Sequence, residues 1–378
     1  MRRKYRVQEE VKVNKKLVFE NGRAFLGHGF GADVETVQEV VFDTQVVGYQ
    51  EILSDPSYCD QLVCMTYPII GTYGLADEDY EAKAMTIGGF IVKEYNDSPS
   101  NFRYTKTLSQ EMEENGIPGI AGVDTRAITA MLRDEGTMRA ILTGADICDE
   151  EALRRLHAAP IVKNEVERVS CKRVWYSRTP NHKYNVVAVD CGIKNSIVRS
   201  LNQCGCNVII VPHTTDVAQV LAMRPDGVVI SNGPGDPHDV PCVVELIRAL
   251  RGKVPLFGID LGCELTALAC GGQVQAMKAG HRGSNHPIRN EKNGKIEFAL
   301  QNHAFAVCAE SLPGTGLTVT HTNLLDGTVE GIADESTMVL AVQHHPGTVS
   351  GARGVSYLYE EFVDLMKDFM AKRGAEHA

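Results

Sequence analysis

The chain reads as an α/β protein whose C-terminal half is a parallel sheet with helices on both faces, preceded by a smaller mixed α+β or β-rich domain. Three observations predict this. In the second half, short β-branched runs alternate with segments of helical period. The first half has short strands and turn dipeptides without that alternation. Residues 254–270 pass from an apolar run through a tight turn into a helix, a join typical of enzymes built on parallel sheets. At 378 residues the chain is too long for one small core and predicts two domains of ordinary size.

Residues 1 to about 14 read as a polar extension, and 15–170 as the first domain. A strand is expected at 16–20, turned by Asn21-Gly22, a strong hairpin dipeptide. The β-branched run 37–42 predicts another strand. Residues 48–58, with Asp55-Pro56 and two serines, read as a turn or loop. Strands follow at 61–65 and 85–92. Helices follow at 108–115 and 125–135, the latter with Ile128, Met131 and Leu132 on one face and Asp124 or Thr125 as its cap. Taken alone, this half offers no constellation that translates into chemistry.

The composition shifts over 171–184, which carries Pro180, Asn181 and several basic residues, and the domain linker is expected there. In the second domain, 185–378, strands at 186–189, 208–211, 227–230 and 254–259 alternate with helices at 195–202, 217–223 and 243–250. Such alternation implies right-handed βαβ crossovers and a sheet covered on both faces. Ligands on such sheets bind beyond the carboxyl ends of the strands. Asp260 lies at one of these ends, and Ser231-Asn-Gly-Pro-Gly-Asp-Pro237 lies at another.

Gly258-Ile-Asp-Leu-Gly262 has the form of a nucleophile elbow, with Asp260 as the exposed residue. From the elbow the chain leaves as a helix with Leu261, Leu265, Leu268 and Ala269 at helical spacings. An Asp there is a poor group for attacking a carbonyl. It is a good group for a strained turn at a helix start, which is its structural alternative.

Composition narrows the partners. The formal charge of -10 is spread along the chain with no basic block beyond the first residues, which argues against nucleic acid. No apolar run is long enough to span a membrane, and the charged start is not followed by a signal-type apolar region, so a cytoplasmic protein is expected. The eleven cysteines are scattered, without a CxxC pair, and read as reduced thiols rather than metal ligands. No metal site is expected. Asp260, Cys263, His344 and His345 form a ligand set admissible by residue type, but helix spacing fixes only the first two and nothing in the sequence brings the others to them.

The elbow, the Ser231 loop and Gln343-His-His-Pro-Gly347 follow one another as in the class I glutamine amidotransferases, which the second half resembles. More narrowly, the chain resembles the small-subunit family of carbamoyl phosphate synthetase. The segments that carry this are Phe42-Asp-Thr-Gln-Val-Val-Gly-Tyr-Gln-Glu-Ile-Leu-Ser-Asp-Pro-Ser-Tyr58, Thr66-Tyr-Pro68, Ser100-Asn-Phe102, Val123-Asp-Thr-Arg126, Gly280-His-Arg-Gly-Ser-Asn-His-Pro287, Gln301-Asn-His-Ala-Phe305 and Asp326-Gly-Thr328. The resemblance runs from about residue 16 to the C-terminus. It implies a class I amidotransferase-like parallel sheet behind a family-specific N-terminal domain. It also implies a large-subunit partner that binds ATP and magnesium, with no cofactor in this chain, and carbamoyl phosphate made for arginine or pyrimidine synthesis.

Such subunits hydrolyse glutamine with a Cys-His-Glu triad. By resemblance, Asp260 stands at the nucleophile, His345 at the general base, and Gly347 where the Glu that orients that base is found. The N–H groups of Leu261 and Gly233 would form the oxyanion hole. Ser57, Gly235, Glu264, Asn302, Ala304 and Phe305 would line the glutamine pocket, with Ala304 in place of a Gly, Glu264 in place of a Gln and Cys263 in place of a His.

These departures predict a silenced glutaminase. A carboxylate is a weak nucleophile and would have to expel an amide nitrogen from a mixed anhydride. A triad without its third member loses the group that fixes the tautomer of its base. Asp260 and Glu264, four apart at a helix start, add like charge where the oxyanion or the substrate carboxylate would lie. Without a nucleophile, His345 is expected as an ion-pair partner of Asp260, and Cys263 as a small buried thiol. The reading that follows is a synthetase subunit working with ammonia. Its alternatives are a regulatory or scaffold pseudo-amidotransferase without a large subunit, and a hydrolase with a reworked site through Asp260, Cys263 or a metal.

Overall fold

A computed structural model describes residues 13–347 and 356–376. The expected polar extension lies outside the described residues except for Val13 and Asn14. The chain divides into two compact units. The first runs to Leu53 and takes in Asp60–Asp79 and Ile87–Ile161; the second holds Ser54–Cys59, Tyr80–Thr86 and the chain from Val162 onward.

The first unit contains β1 (Lys15–Phe19), β2 (Ala24–Gly31), β3 (Thr36–Asp43), β4 (Gln61–Met65), β5 (Ile69–Ile70), β6 (Gly89–Ile91), β7 (Glu94–Tyr95), β8 (Pro118–Ala121) and β9 (Met138–Gly144). Seven of them close a barrel in the order β1-β2-β8-β6-β4-β3-β9, while β5 and β7 pair only with each other. Closure leaves these seven strands without a free edge. Alternation along β1 explains the two sides of its wall. Leu17 and Phe19 pack with Val40, Leu62, Ile120 and Leu142, together with Ile128, Met131 and Leu132 of the helix Thr125–Glu135. Val18 and Ile141 point the other way, onto Ala152 and Leu156 of the helix Asp149–Ala158.

Asn21-Gly22 does turn β1 into β2, with Gly22 at φ 84° and Leu17 opposite Phe25. Two expectations change. The strand expected over 85–92 shrinks to β6, Gly89–Ile91. Residues 48–58 are not a loop but a short helix, Tyr49–Ser54, followed by a 3-10 turn, Pro56–Tyr58. The Asp-Pro pair read as a loop signal is a cap. Asp55 accepts a hydrogen bond from the Ser57 N–H, and Pro56 supplies the preset φ of a first helical position.

The second unit contributes β10 (Trp175–Ser177), β11 (Tyr184–Asp190), β12 (Cys206–Pro212), β13 (Gly227–Ile230), β14 (Leu256–Ile259), β15 (Val274–Asn290), β16 (Ile296–Val307), β17 (Thr318–Asn323), β18 (Val329–Asp334) and β19 (Val339–Val342). They form one sheet in the order β10-β12-β11-β13-β14-β19-β18-β16-β15-β17. From β12 through β19 neighbours run parallel, as the alternating pattern predicts; β18 onward is antiparallel. The stretch 171–184, expected as a linker, belongs to this unit and carries β10, antiparallel to β12 with Trp175 opposite Ile210. Its polar, proline-containing composition marks an edge strand.

The sheet buries both faces. On one, Leu246, Ile247 and Leu250 of the helix Pro241–Leu250 pack with Val228, Ile230 and Leu256. On the other, Leu358, Tyr359, Phe362 and Met366 of the helix Tyr357–Glu376 cover Phe257 and Ile259. Phe362 and Phe257 have ring centroids 5.4 Å apart. This helix can approach because Gly227 has no side chain: a methyl group there would lie 2.6 Å from Phe362 Cζ. Phe362→Ala should lower unfolding free energy by about 3–5 kcal/mol, read as a shift of the urea midpoint; a change within experimental error would mean that the helix does not seal this face.

Candidate functional site

The site begins at the end of β14. Asp260 has φ 56° and ψ -115°, a backbone conformation that costs a non-glycine residue about 1–3 kcal/mol. The helix Leu261–Ala269 starts immediately after it. Both flanking glycines are required by close approach. A methyl group at Gly258 would lie 2.5 Å from the Gly262 carbonyl oxygen, and one at Gly262 would lie 2.2 Å from the Ile230 carbonyl oxygen. The Asp260 N–H donates to Val342 O at 2.8 Å, tying the turn to β19.

The Asp260 side chain turns inward and is buried. As the first residue before the helix it makes no capping bond to the second or third helical N–H. The N–H groups of Leu261 and Gly233, the two donors expected to form the oxyanion hole, lie beside its carboxyl. Ser57 Oγ donates to Asp260 Oδ2 at 3.4 Å and accepts from Asn232 Nδ2 at 2.8 Å. Burial, then the Glu264 and Asp55 carboxyls, push Asp260 well above the usual carboxylate range, so its neutral form is favoured.

Glu264 faces the same interior. Its Oε1 accepts from Gln343 Nε2 at 2.8 Å, and burial raises it to about 8. Cys263 belongs to the apolar core between the sheet and its helices. Burial, followed by the charge of Glu264, holds its thiol well above the ordinary range. A thiol kept protonated in apolar surroundings is inert.

His345 does not pair with Asp260. Both of its ring nitrogens are buried without a hydrogen-bond partner among the described residues, and its backbone N–H donates to Leu300 O at 3.0 Å. Burial and the nearby Lys194 ammonium push the ring down to about 3, so it is neutral. Gly347 is exposed, and its N–H donates to His345 O at 2.8 Å. Among the described residues, no atom lies within 4 Å of the position a side chain would start from. Of the expected pocket residues, Asn302, Ala304 and Phe305 lie on β16 beside the Leu300–His345 bridge, with the amide nitrogen of Asn302 buried and unpaired. Gly235 sits at φ 87° in the Ser231 loop.

Sequence reasoning missed the charged floor of this site. Lys194 Nζ and Asp55 Oδ2 form a buried ion pair at 3.0 Å, with side chains 7% and 4% exposed. Against the burial that opposes both charges, each partner holds the other ionised. The Lys194 N–H also donates to Asn232 Oδ1 at 3.2 Å. The available signal was position: Lys194 follows the carboxyl end of β11.

Glu264 gives a pH test. Its folded value lies above that of the unfolded chain, so its contribution is present below about pH 4.5 and is lost as pH rises toward 8. Glu264→Gln keeps the acceptor for Gln343 and carries no charge. The variant should match the parent in urea stability near pH 5 and exceed it by at least about 1 kcal/mol above pH 8; parallel stability curves would show that Glu264 titrates normally.

Two family models match the chain. The carbamoyl-phosphate synthase small chain, CPSase domain, covers residues 17–142, and the glutamine amidotransferase class-I model covers 187–365. The carbamoyl phosphate synthase small chain of Bacillus caldolyticus is 46% identical over 97% of this chain and 100% of its own length. That of Listeria innocua is 45% identical over 96% of this chain and 99% of its own. That of Oceanobacillus iheyensis is 42% identical over 96% and 98%. On this evidence the chain belongs to the carbamoyl phosphate synthase small chain family.

Proposed function

We propose that this chain acts in the cytoplasm as the small subunit of a carbamoyl phosphate synthetase, paired with a large ATP-using subunit, and that its own glutaminase is silent. The complex then forms carbamoyl phosphate, for arginine or pyrimidine synthesis, from bicarbonate, ATP and ammonia. The observation that supports the silencing is the buried Asp260 carboxyl standing beside the Leu261 and Gly233 N–H groups. Acyl transfer from an amide needs such donors free for the oxygen that becomes negative. Here a buried carboxyl of the chain itself stands before them, and a glutamine carbonyl would have to displace it.

The remaining groups support the same reading. Asp260 in its neutral form is not a nucleophile, the Cys263 thiol is held protonated, and no carboxylate at position 347 orients His345. The Lys194–Asp55 pair and the Ser57–Asn232 bond keep the surrounding frame polar and ordered, which suits a subunit retained for its partner rather than for its own turnover.

Mixing the chain with its large subunit should give carbamoyl phosphate from ammonium chloride, while the glutamine-supported rate stays at least about 10⁴-fold lower than expected of an intact triad. Comparable rates from the two nitrogen sources would overturn the silencing, and no complex with a large subunit would favour the scaffold reading.

Repair of the site gives an ordered series. Asp260→Cys alone restores a nucleophile and frees the two N–H groups, yet leaves His345 unoriented. Only trace glutamine hydrolysis is expected. Adding Gly347→Glu should raise that rate by about 10²–10⁴-fold, in line with what the third member contributes in other triads; equal rates for the single and double variants would show that Gly347 is not the missing position.

A further inference from the structure

A second buried polar group lies on the β15–β16 hairpin. His281 and His303 are direct partners across that ladder, so their side chains stand on one face, and Glu330 reaches them from β18. His281 Nδ1 is 3.4 Å from Glu330 Oε1, and His303 Nε2 is 4.0 Å from the same oxygen. All three residues are buried, and their ligand-type atoms lie within 4.8 Å of one another; among the described residues this is the one group of three or more His, Cys, Asp or Glu so arranged.

The outward atoms are held. His281 Nε2 meets Asp326 Oδ2 at 2.9 Å, His303 Nδ1 meets the Phe305 carbonyl oxygen at 2.7 Å, and Glu330 Oε2 accepts from Gln301 Nε2 at 2.8 Å. A carbonyl only accepts, so His303 Nδ1 carries a proton, and in the neutral ring Nε2 presents a bare lone pair toward Glu330. That nitrogen has no hydrogen-bond partner among the described residues, and the residue is 4% exposed. A doubly protonated His281 between Asp326 and Glu330 would satisfy His281 and leave His303 Nε2 orphaned beside a carboxylate. A cation between the three atoms satisfies all of them.

We propose that His281 Nδ1, His303 Nε2 and the Glu330 carboxylate form a site for a divalent transition-metal ion of the zinc type. Two imidazoles and one carboxylate are an established zinc ligand set that leaves one position open. Ligand atoms around tetrahedral zinc stand about 3.3–3.5 Å apart, so the His281 distance already fits and the His303 distance closes by about half an ångström. The carboxylate and the backbone carbonyl behind the two rings are the partners that orient metal-bound histidines. One group must move: Asn323 Nδ2 donates to Glu330 Oε1 at 2.9 Å and lies 3.4 Å from His281 Nδ1, and it turns aside when the ion enters. The ion would clamp the hairpin to β18, a structural role.

The test uses the full chain, stripped with a chelator and titrated with Co²⁺ while visible absorption is followed. The site predicts tetrahedral d–d bands that saturate at one equivalent and are displaced by Zn²⁺. His303→Ala should abolish them in a variant whose circular dichroism is unchanged. Asp326→Asn, at a partly exposed position behind His281, should weaken Co²⁺ binding by about 10–100-fold. Absence of the bands in the parent chain overturns the proposal whatever the variants do. Bands that survive in His303→Ala place the metal elsewhere, and an unchanged affinity in Asp326→Asn removes His281 from the ligand set.

Discussion

The second unit depends on one steric constraint, the crossing of β14 and the helix that follows it. Gly258 meets the carbonyl of Gly262, and Gly262 meets the carbonyl of Ile230, at distances that exclude any side chain. The intervening residue therefore has to adopt a positive φ and present its side chain at the strand end. Everything at the site follows from that presentation: the Gly233 and Leu261 N–H groups converge there, Ser57 bonds to whatever stands there, and Val342 holds the turn from β19. The scaffold is indifferent to which residue occupies the point. With Asp260, that point carries a buried carboxyl beside both donors.

Electrostatics then separates two kinds of buried charge. Lys194 and Asp55 neutralise each other at 3.0 Å and stay ionised in spite of burial. Burial drives Asp260 and Glu264 toward the neutral acid, with the Glu264 carboxyl adding to the push on Asp260 and the Asp236 carboxyl to that on Glu264. His345, beside Lys194, is pushed the same way and remains a neutral ring without a partner among the described residues. Burial thus leaves three groups of the site that avoid charge.

Much of the fold was legible from local pattern. The strands β11 to β14 and the helices between them are continuous apolar runs and amphipathic segments, whose period is set by their immediate packing. The Asn21-Gly22 hairpin is encoded by two residues, and the helix Thr125–Glu135 shows both its cap and its buried stripe. The errors have a common cause. Over 48–58 and 171–184, Asp-Pro, Pro and polar residues were read as breakers, whereas one Asp caps a helical turn and one polar stretch forms an edge strand. Turn residues mark the ends of elements as readily as their absence, and only the neighbouring backbone decides which.

By itself, the sequence determined that the second half is a parallel α/β sheet, that Asp260 stands at its elbow, and that the carboxylate expected two residues beyond His345 is absent. These are properties of residue type and spacing. The direction in which Asp260 points, the pairing of Lys194 with Asp55 across 139 positions, and the meeting of His281, His303 and Glu330 were decided only by tertiary structure. Such contacts join strand ends and hairpins that lie far apart along the chain, and a buried polar group takes its charge and its partner from what the fold brings beside it.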